Sequence, residues 1–262
     1  MTKKLLCLFF LLVFCLCKGQ AQDTTATIKE QHAPEMASFV VIVPVTEFRE
    51  DNLRKLANEY LGRSQTVKLL NVGMFTERAP AYDSLGKTTY HISYDVWKEE
   101  FEKRAQDKSE RAAVLLKCGN SATLRIRNLN GEIEEIKIAG ENAFHPTVAG
   151  VALDILHVSF VDQGFGDARE LTAHFYVKVP KRITPKEASE LAKSFFDTLG
   201  LSNVTLHLRE DDLFIFDPFY PWMNPFTKSE TPPSLKDTAR SAQFLCSPRQ
   251  EGTCFQSALG SK

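Results

Sequence analysis

The stretch Thr184-Pro185-Lys186-Glu187 constrains the fold more than any other, because it is a helix start placed between two apolar runs. Thr184 can cap the helix, Pro185 carries the preset φ of a first helical residue, and Glu187 can reach back to the N–H of the cap. Beyond it Ala188, Leu191, Ala192, Phe195, Phe196 and Leu199 form a broad apolar stripe, and Gly200 supplies a left-handed stop. Such a stripe has to be buried against a sheet, and the runs Leu171 to Val179 and Val204 to Leu208 predict its strands. The same order of strand, proline, helix and strand recurs earlier. Phe39 to Val43 and Pro44 precede a stripe of Leu53, Leu56, Ala57, Tyr60 and Leu61, closed by Gly62 and followed by Val67 to Val72. The echo predicts a weak internal β-α-β duplication, although burying one helix face on a sheet produces the same pattern without common descent.

Between these stretches a further helix is predicted over Ser93 to Gln106, with Trp97, Phe101 and Ala105 on one side. Ala112 to Lys117, Ala122 to Arg127 and Glu132 to Ile138 read as strands, the last two joined at Asn130-Gly131, the strongest hairpin signal in the chain. Ile133 and Ile136 break simple alternation and point to a bulge. Val151 to Val161 connects directly to Leu171 to Val179, which favours an antiparallel pair, and Val204 to Leu208 is expected to form a hairpin with Leu213 to Phe216. The expected fold is α+β, a predominantly antiparallel sheet with three principal helices. The body spans 38–226, preceded by a polar linker over 22–37 and followed by a flexible C-terminal tail over 227–262.

Residues 1–21 read as a cleaved secretory signal. Lys3 and Lys4 precede 13 apolar residues from Leu5 to Cys17, too few for a comfortable membrane span, and the small Gly19 and Ala21 suit a cleavage site. Lipid attachment through Cys15 or Cys17 is the minor alternative, because bulky Phe14 or Leu16 precedes the thiol. Cleavage removes three lysines and leaves 29 basic against 33 acidic side chains, a net charge of about −4. That balance argues against general nucleic-acid binding. No transmembrane helix is expected in the mature chain: Ala149 to Val161 is short and carries Asp154 and His157. Localisation is expected to be periplasmic or extracellular.

Three cysteines survive cleavage. Cys246 and Cys254, close together in a loop-rich region, are candidates for a disulfide in an oxidising compartment. Cys118, between an apolar run and the turn Gly119-Asn120, reads as a buried structural thiol rather than a nucleophile. The six histidines show no metal-ligand spacing, and neither a nucleophile elbow nor a phosphate loop is present, so no metal or cofactor is expected. His157, His174 and His207 nevertheless fall in predicted strands, and as proton-transfer or metal candidates they would have to converge in three dimensions. Gly164-Phe165-Gly166-Asp167 reads as a turn, Glu210-Asp211-Asp212 as a solvated acidic turn, and Asn203-Val204-Thr205 as an N-glycosylation sequon.

Aromatic rings are concentrated in 214–226, where Phe219, Tyr220, Trp222 and Phe226 alternate with prolines. Rigid aromatics offer large contact area at little ordering cost, so these four are candidate binding residues for a peptide, a glycan or an envelope protein; the competing role is closure of a sheet edge. The sequence therefore predicts an exported, non-catalytic binding or envelope-associated module. The alternative is a secreted hydrolase with a dispersed histidine-containing active site.

Overall fold

The structure, a computed structural model, describes residues 26–76, 112–127, 132–163, 170–210, 244–248 and 254–256. The chain is α+β and mostly sheet. Strands β1 (Ala26–Ala33) and β2 (Met36–Val43) lead into helix α1 (Glu50–Arg63). Strands β3 (Leu69–Thr76), β4 (Ala112–Cys118), β5 (Ser121–Arg127) and β6 (Ile133–Ala139) complete a six-stranded sheet ordered β1-β2-β3-β4-β5-β6. A small hairpin, β7 (Thr147–Val148) and β8 (Val151–Ala152), then leads to β9 (Asp154–Gln163), β10 (Glu170–Lys178) and helix α2 (Pro185–Leu199). Strands β11 (Val204–Arg209), β12 (Phe244–Cys246) and β13 (Cys254–Gln256) follow, giving a five-stranded sheet ordered β13-β12-β11-β10-β9. In each of these two sheets one neighbouring pair is parallel, β2 with β3 and β10 with β11, and the other pairs are antiparallel. A parallel pair cannot be joined by a tight turn, so α1 and α2 are the crossovers that topology requires.

Two helices are present among the described residues, so the expected count of three principal helices is not borne out; Ser93 to Gln106 lies outside the described residues. The expected duplication is not borne out either, and crossover topology accounts for the resemblance. The helices differ in termini and surroundings. At α2 the Thr184 hydroxyl accepts from the Glu187 N–H, the Glu187 side chain accepts from the cap, and Gly200 ends the helix at φ 60°. At α1 Arg49 makes no side-chain cap, and the helix continues through Gly62 to a cap at Ser64. Gly62, read as a left-handed stop, is instead the penultimate helical residue, and its φ is not positive. Leu53, Ala57 and Tyr60 of α1 pack on one face of the first sheet with Phe39, Val41, Val72 and Leu124. The α2 stripe instead shares a core with both sheets, joining Phe175 and Leu206 to Met36, Leu69 and Leu116.

Order also extends beyond the expected body at both ends. Ala26–Ala33, within the expected linker, pairs antiparallel with β2 as an edge strand, its polar sequence and its irregularity between Thr27 and Lys29 suiting an edge. Phe244–Cys246 and Cys254–Gln256, within the expected tail, pair with β11 and with each other. Strand β11 pairs with β10 on one side and β12 on the other; Leu213 to Phe216, the expected hairpin partner of Val204 to Leu208, lies outside the described residues. The β6 irregularity falls at its end, opposite Ala122 and Thr123, rather than between Ile133 and Ile136. Among the described residues no helix is long and apolar enough to cross a membrane.

Candidate functional site

Two polar constellations stand out, a charged seam where the sheets meet and a histidine face on the second sheet. The seam grows from the register of β5 and β6, which sets Arg125 directly opposite Glu135. Leu124 and Ile126 belong to the α1 side of the sheet, so alternation sends Arg125 to the other side, where its side chain is 4% exposed. Its Nε donates to Glu135 Oε1 at 2.8 Å, with Nη2 2.7 Å from the same oxygen. Nη1 donates to the carbonyls of Ile155 at 3.2 Å and Leu156 at 3.5 Å in β9.

Those carbonyls are available for a structural reason. Strand β9 is the edge of the second sheet, and its register against β10 slips between His157 and Ile155, leaving Leu156 as the extra residue of a bulge. An edge strand has backbone groups without ladder partners, and the first sheet and the segment that follows β6 supply them. Arg125 serves Ile155 and Leu156, Asn71 Nδ2 donates to Val158 O at 3.3 Å, and the Ile155 N–H donates to Phe144 O at 2.7 Å. The guanidinium also lies 3.8 Å from the centroid of the Phe144 ring, a cation–π contact in a sheltered place.

His145 and Asp154 complete the seam. His145 Nε2 lies 2.9 Å from Glu135 Oε2, and Nδ1 lies 3.5 Å from Asp154 Oδ1, which is itself 3.7 Å from Arg125 Nη2. Asn142 Nδ2 donates to Glu135 Oε2 at 2.7 Å, and the Ala143 N–H donates to Thr123 Oγ1 at 2.9 Å. Burial alone would raise the Glu135 carboxyl, but hydrogen bonds from His145 and Asn142 and the Arg125 charge outweigh it and hold the group at about 2. The Glu135 hydrogen bond raises His145 above its ordinary value of 6.5 against the opposing effect of burial, with the Glu135 and Asp154 charges helping.

The second constellation contains the three histidines singled out in the sequence. His157 on β9, Tyr176 on β10 and His207 on β11 are direct register partners, so they form one row across three strands. The Tyr176 ring stacks on His207 at 4.5 Å and 14°, and His157 stacks on Tyr176 at 5.8 Å and 30°. His174, two residues before Tyr176, places Nδ1 3.1 Å from His207 Nε2. The neighbouring residues Phe175, Val177 and Leu206 point to the opposite, α2-packed side. All three histidines keep some accessible surface, yet the Nε2 of His157 is fully covered with no hydrogen-bond partner among the described residues. Nitrogen burial governs protonation. It pushes His157 down to about 3, and burial followed by the His174 charge pushes His207 down to about 3.

The face brings imidazoles together without building a metal centre: Tyr176 stands between His157 and His207. Among the described residues no group of three or more His, Cys, Asp or Glu side chains is arranged to hold a metal ion. Elsewhere, Cys246 and Cys254 are disulfide-bonded across the β12–β13 pair, with Cα atoms 4.2 Å apart. The Cys118 thiol is desolvated, which pushes it up to about 12 and leaves it a poor nucleophile, although the residue as a whole is only partly covered. A groove of about 410 Å³ opens between the end of α1 and the β4–β5 turn. Its lysines are occupied: Lys117 Nζ donates to the carbonyls of Ser64 and Gln65, and Lys68 Nζ to Gly200 O. The candidate aromatics Phe219, Tyr220, Trp222 and Phe226 lie outside the described residues, as do Gly164 to Asp167 and Asp211-Asp212.

The seam is not apparent from the residue pattern. A two-residue turn at Asn130-Gly131 would have set Arg125 opposite Ile136, whereas the observed register is one residue shorter and sets it opposite Glu135. The usable signal was an arginine at an inward position of a predicted central strand, which demands a carboxylate partner. No family model, curated protein or solved structure matches the chain.

Proposed function

We propose that the mature protein, residues 22–262, is an exported, non-catalytic binding or envelope-associated module. The observation supporting this over the hydrolase alternative is how the strand histidines are used. His174 bonds to His207, and His207 and His157 stack on Tyr176, with His157 and His207 held neutral by burial. A group that protonates near pH 3 is a weak base at neutral pH and is poorly matched to proton transfer there. The seam gives the hydrolase no better footing, because its polar groups are engaged with one another: Arg125 and Asn142 donate to Glu135, and the His145 ring lies between Glu135 and Asp154.

The proposed ligand-contacting residues are Phe219, Tyr220, Trp222 and Phe226. Their segment lies between β11 and β12, which are adjacent and antiparallel, so the chain leaves and re-enters the same end of the second sheet. Buried Arg209 and Phe244 flank those two points. The partners proposed are a peptide, a glycan or an envelope protein.

Thermal stability of the mature protein, measured against panels of peptides, glycans, metabolites and divalent metals, tests the reading, because a ligand of the native state raises Tm by linkage. A dose-dependent rise with a peptide or glycan that disappears in Trp222→Ala is the expected result. A rise with a metal or metabolite that disappears in His207→Gln and survives Trp222→Ala would overturn it in favour of the enzyme.

A further inference from the structure

We propose that His145 is a proton-operated latch on the seam: as imidazolium it ties Glu135 on β6 to Asp154 on β9, and loss of its proton releases the Asp154 side. The geometry requires this because the two ring nitrogens face carboxylates on different sheets, Nε2 at 2.9 Å from Glu135 and Nδ1 at 3.5 Å from Asp154. Only the charged ring carries an N–H on both nitrogens, whereas each neutral tautomer donates from one and turns a lone pair toward the other carboxylate. The shorter contact is to Glu135, so the neutral ring keeps that one. Asp154 Oδ1 then loses a favourable neighbour, and it has no hydrogen-bond partner among the described residues.

The charged groups facing the ring are Glu135 from β6, Asp154 from β9 and Arg125 from β5. The two carboxylates favour the proton and Arg125 opposes it, and the Glu135 hydrogen bond decides the balance, which agrees in direction with the raised affinity. Arg125 keeps its bonds to Glu135 and to the Ile155 and Leu156 carbonyls, so the sheets remain joined when the latch opens. What loosens is the connection between β6 and β9. It is fastened by the Ala143 N–H on Thr123 Oγ1, the Ile155 N–H on Phe144 O and the Leu153 N–H on Pro146 O. The ring is 43% exposed, so bulk solvent can reach it and pH can drive the change.

Amide hydrogen exchange of the mature protein between pH 6 and pH 9, corrected for intrinsic rates, tests the latch at Ala143, Leu153 and Ile155. Protection should fall about two- to fivefold as His145 loses its proton, the range of a partly exposed ion pair. It should be independent of pH in His145→Gln and in Asp154→Asn, with the ladder amides of β4 unchanged in every case. Unchanged protection in the wild type across the His145 titration, or the same pH dependence in His145→Gln, would overturn the proposal. Because His145 is partly exposed, the variant is expected to fold, and the wild-type profile is decisive by itself.

Discussion

Mild acid should destabilise this protein through its buried histidines, and the size of the effect follows from the histidine face. His157 and His207 protonate near 3 in the folded chain and near 6.5 when unfolded, so between those values the unfolded state binds more protons. Stability therefore rises with pH through this window and is lost as pH falls below 6.5. Going from pH 7 to pH 5 costs about 2 kcal/mol per histidine, about 4 kcal/mol for the two, from the linkage relation with an ordinary histidine reference. The seam does not obscure the slope. Glu135 loses its contribution only as pH falls from about 4.5 toward 2, and His145, being raised, contributes fully below 6.5 and loses its contribution only on the alkaline side. Urea unfolding of the mature protein at pH 7, 6 and 5 measures the slope. The doubly substituted His157→Gln/His207→Gln chain should lose most of it, whatever its stability at pH 7. A wild-type loss under about 1 kcal/mol, or a double variant with the full slope, would show that His157 and His207 do not set the acid sensitivity.

Three further outcomes follow. Arg125→Met leaves Glu135 without its main cation and the Leu156 bulge without its donor, and should cost about 3 kcal/mol by urea denaturation, as expected for breaking one side of a sheltered ion pair. Reduction of the Cys246–Cys254 bond, or Cys246→Ser/Cys254→Ser, should lower stability by about 2.5 kcal/mol through the entropy of a short loop, read as a Tm drop with and without reductant. Thr184→Ala removes the acceptor for the Glu187 N–H at the start of α2 and should cost about 1 kcal/mol in the same assay, with α2 amides showing the largest gain in exchange.

What the sequence made legible is local. The α2 start was readable to the residue because capping is decided within four positions, and β2 was readable because its side chains are buried on both faces. Gly62 misled because an α-helix tolerates glycine at modest cost when the next turn is held, here by Lys117 on the carbonyls beyond it. Strand β1 was hidden by its charged edge composition, and β12 and β13 are too short for any period to register; only the cysteine pair hinted that 246 and 254 were tied together. The histidine row depended on long-range register, which places His157, Tyr176 and His207 side by side from three separate strands. The seam was least visible, since a one-residue difference in the β5–β6 register decides whether Arg125 meets Ile136 or Glu135.

Whether His157, His174 and His207 are structural groups, as their stacking and mutual hydrogen bond imply, or proton-transfer groups is decided by an NMR titration of the imidazoles in the folded mature protein. His145 is expected to titrate above 6.5, while His157 and His207 stay neutral until the protein unfolds in acid. Titration of His157 or His207 between pH 6 and 7 in the folded state would return those two residues to the role of proton-transfer groups and overturn the structural reading.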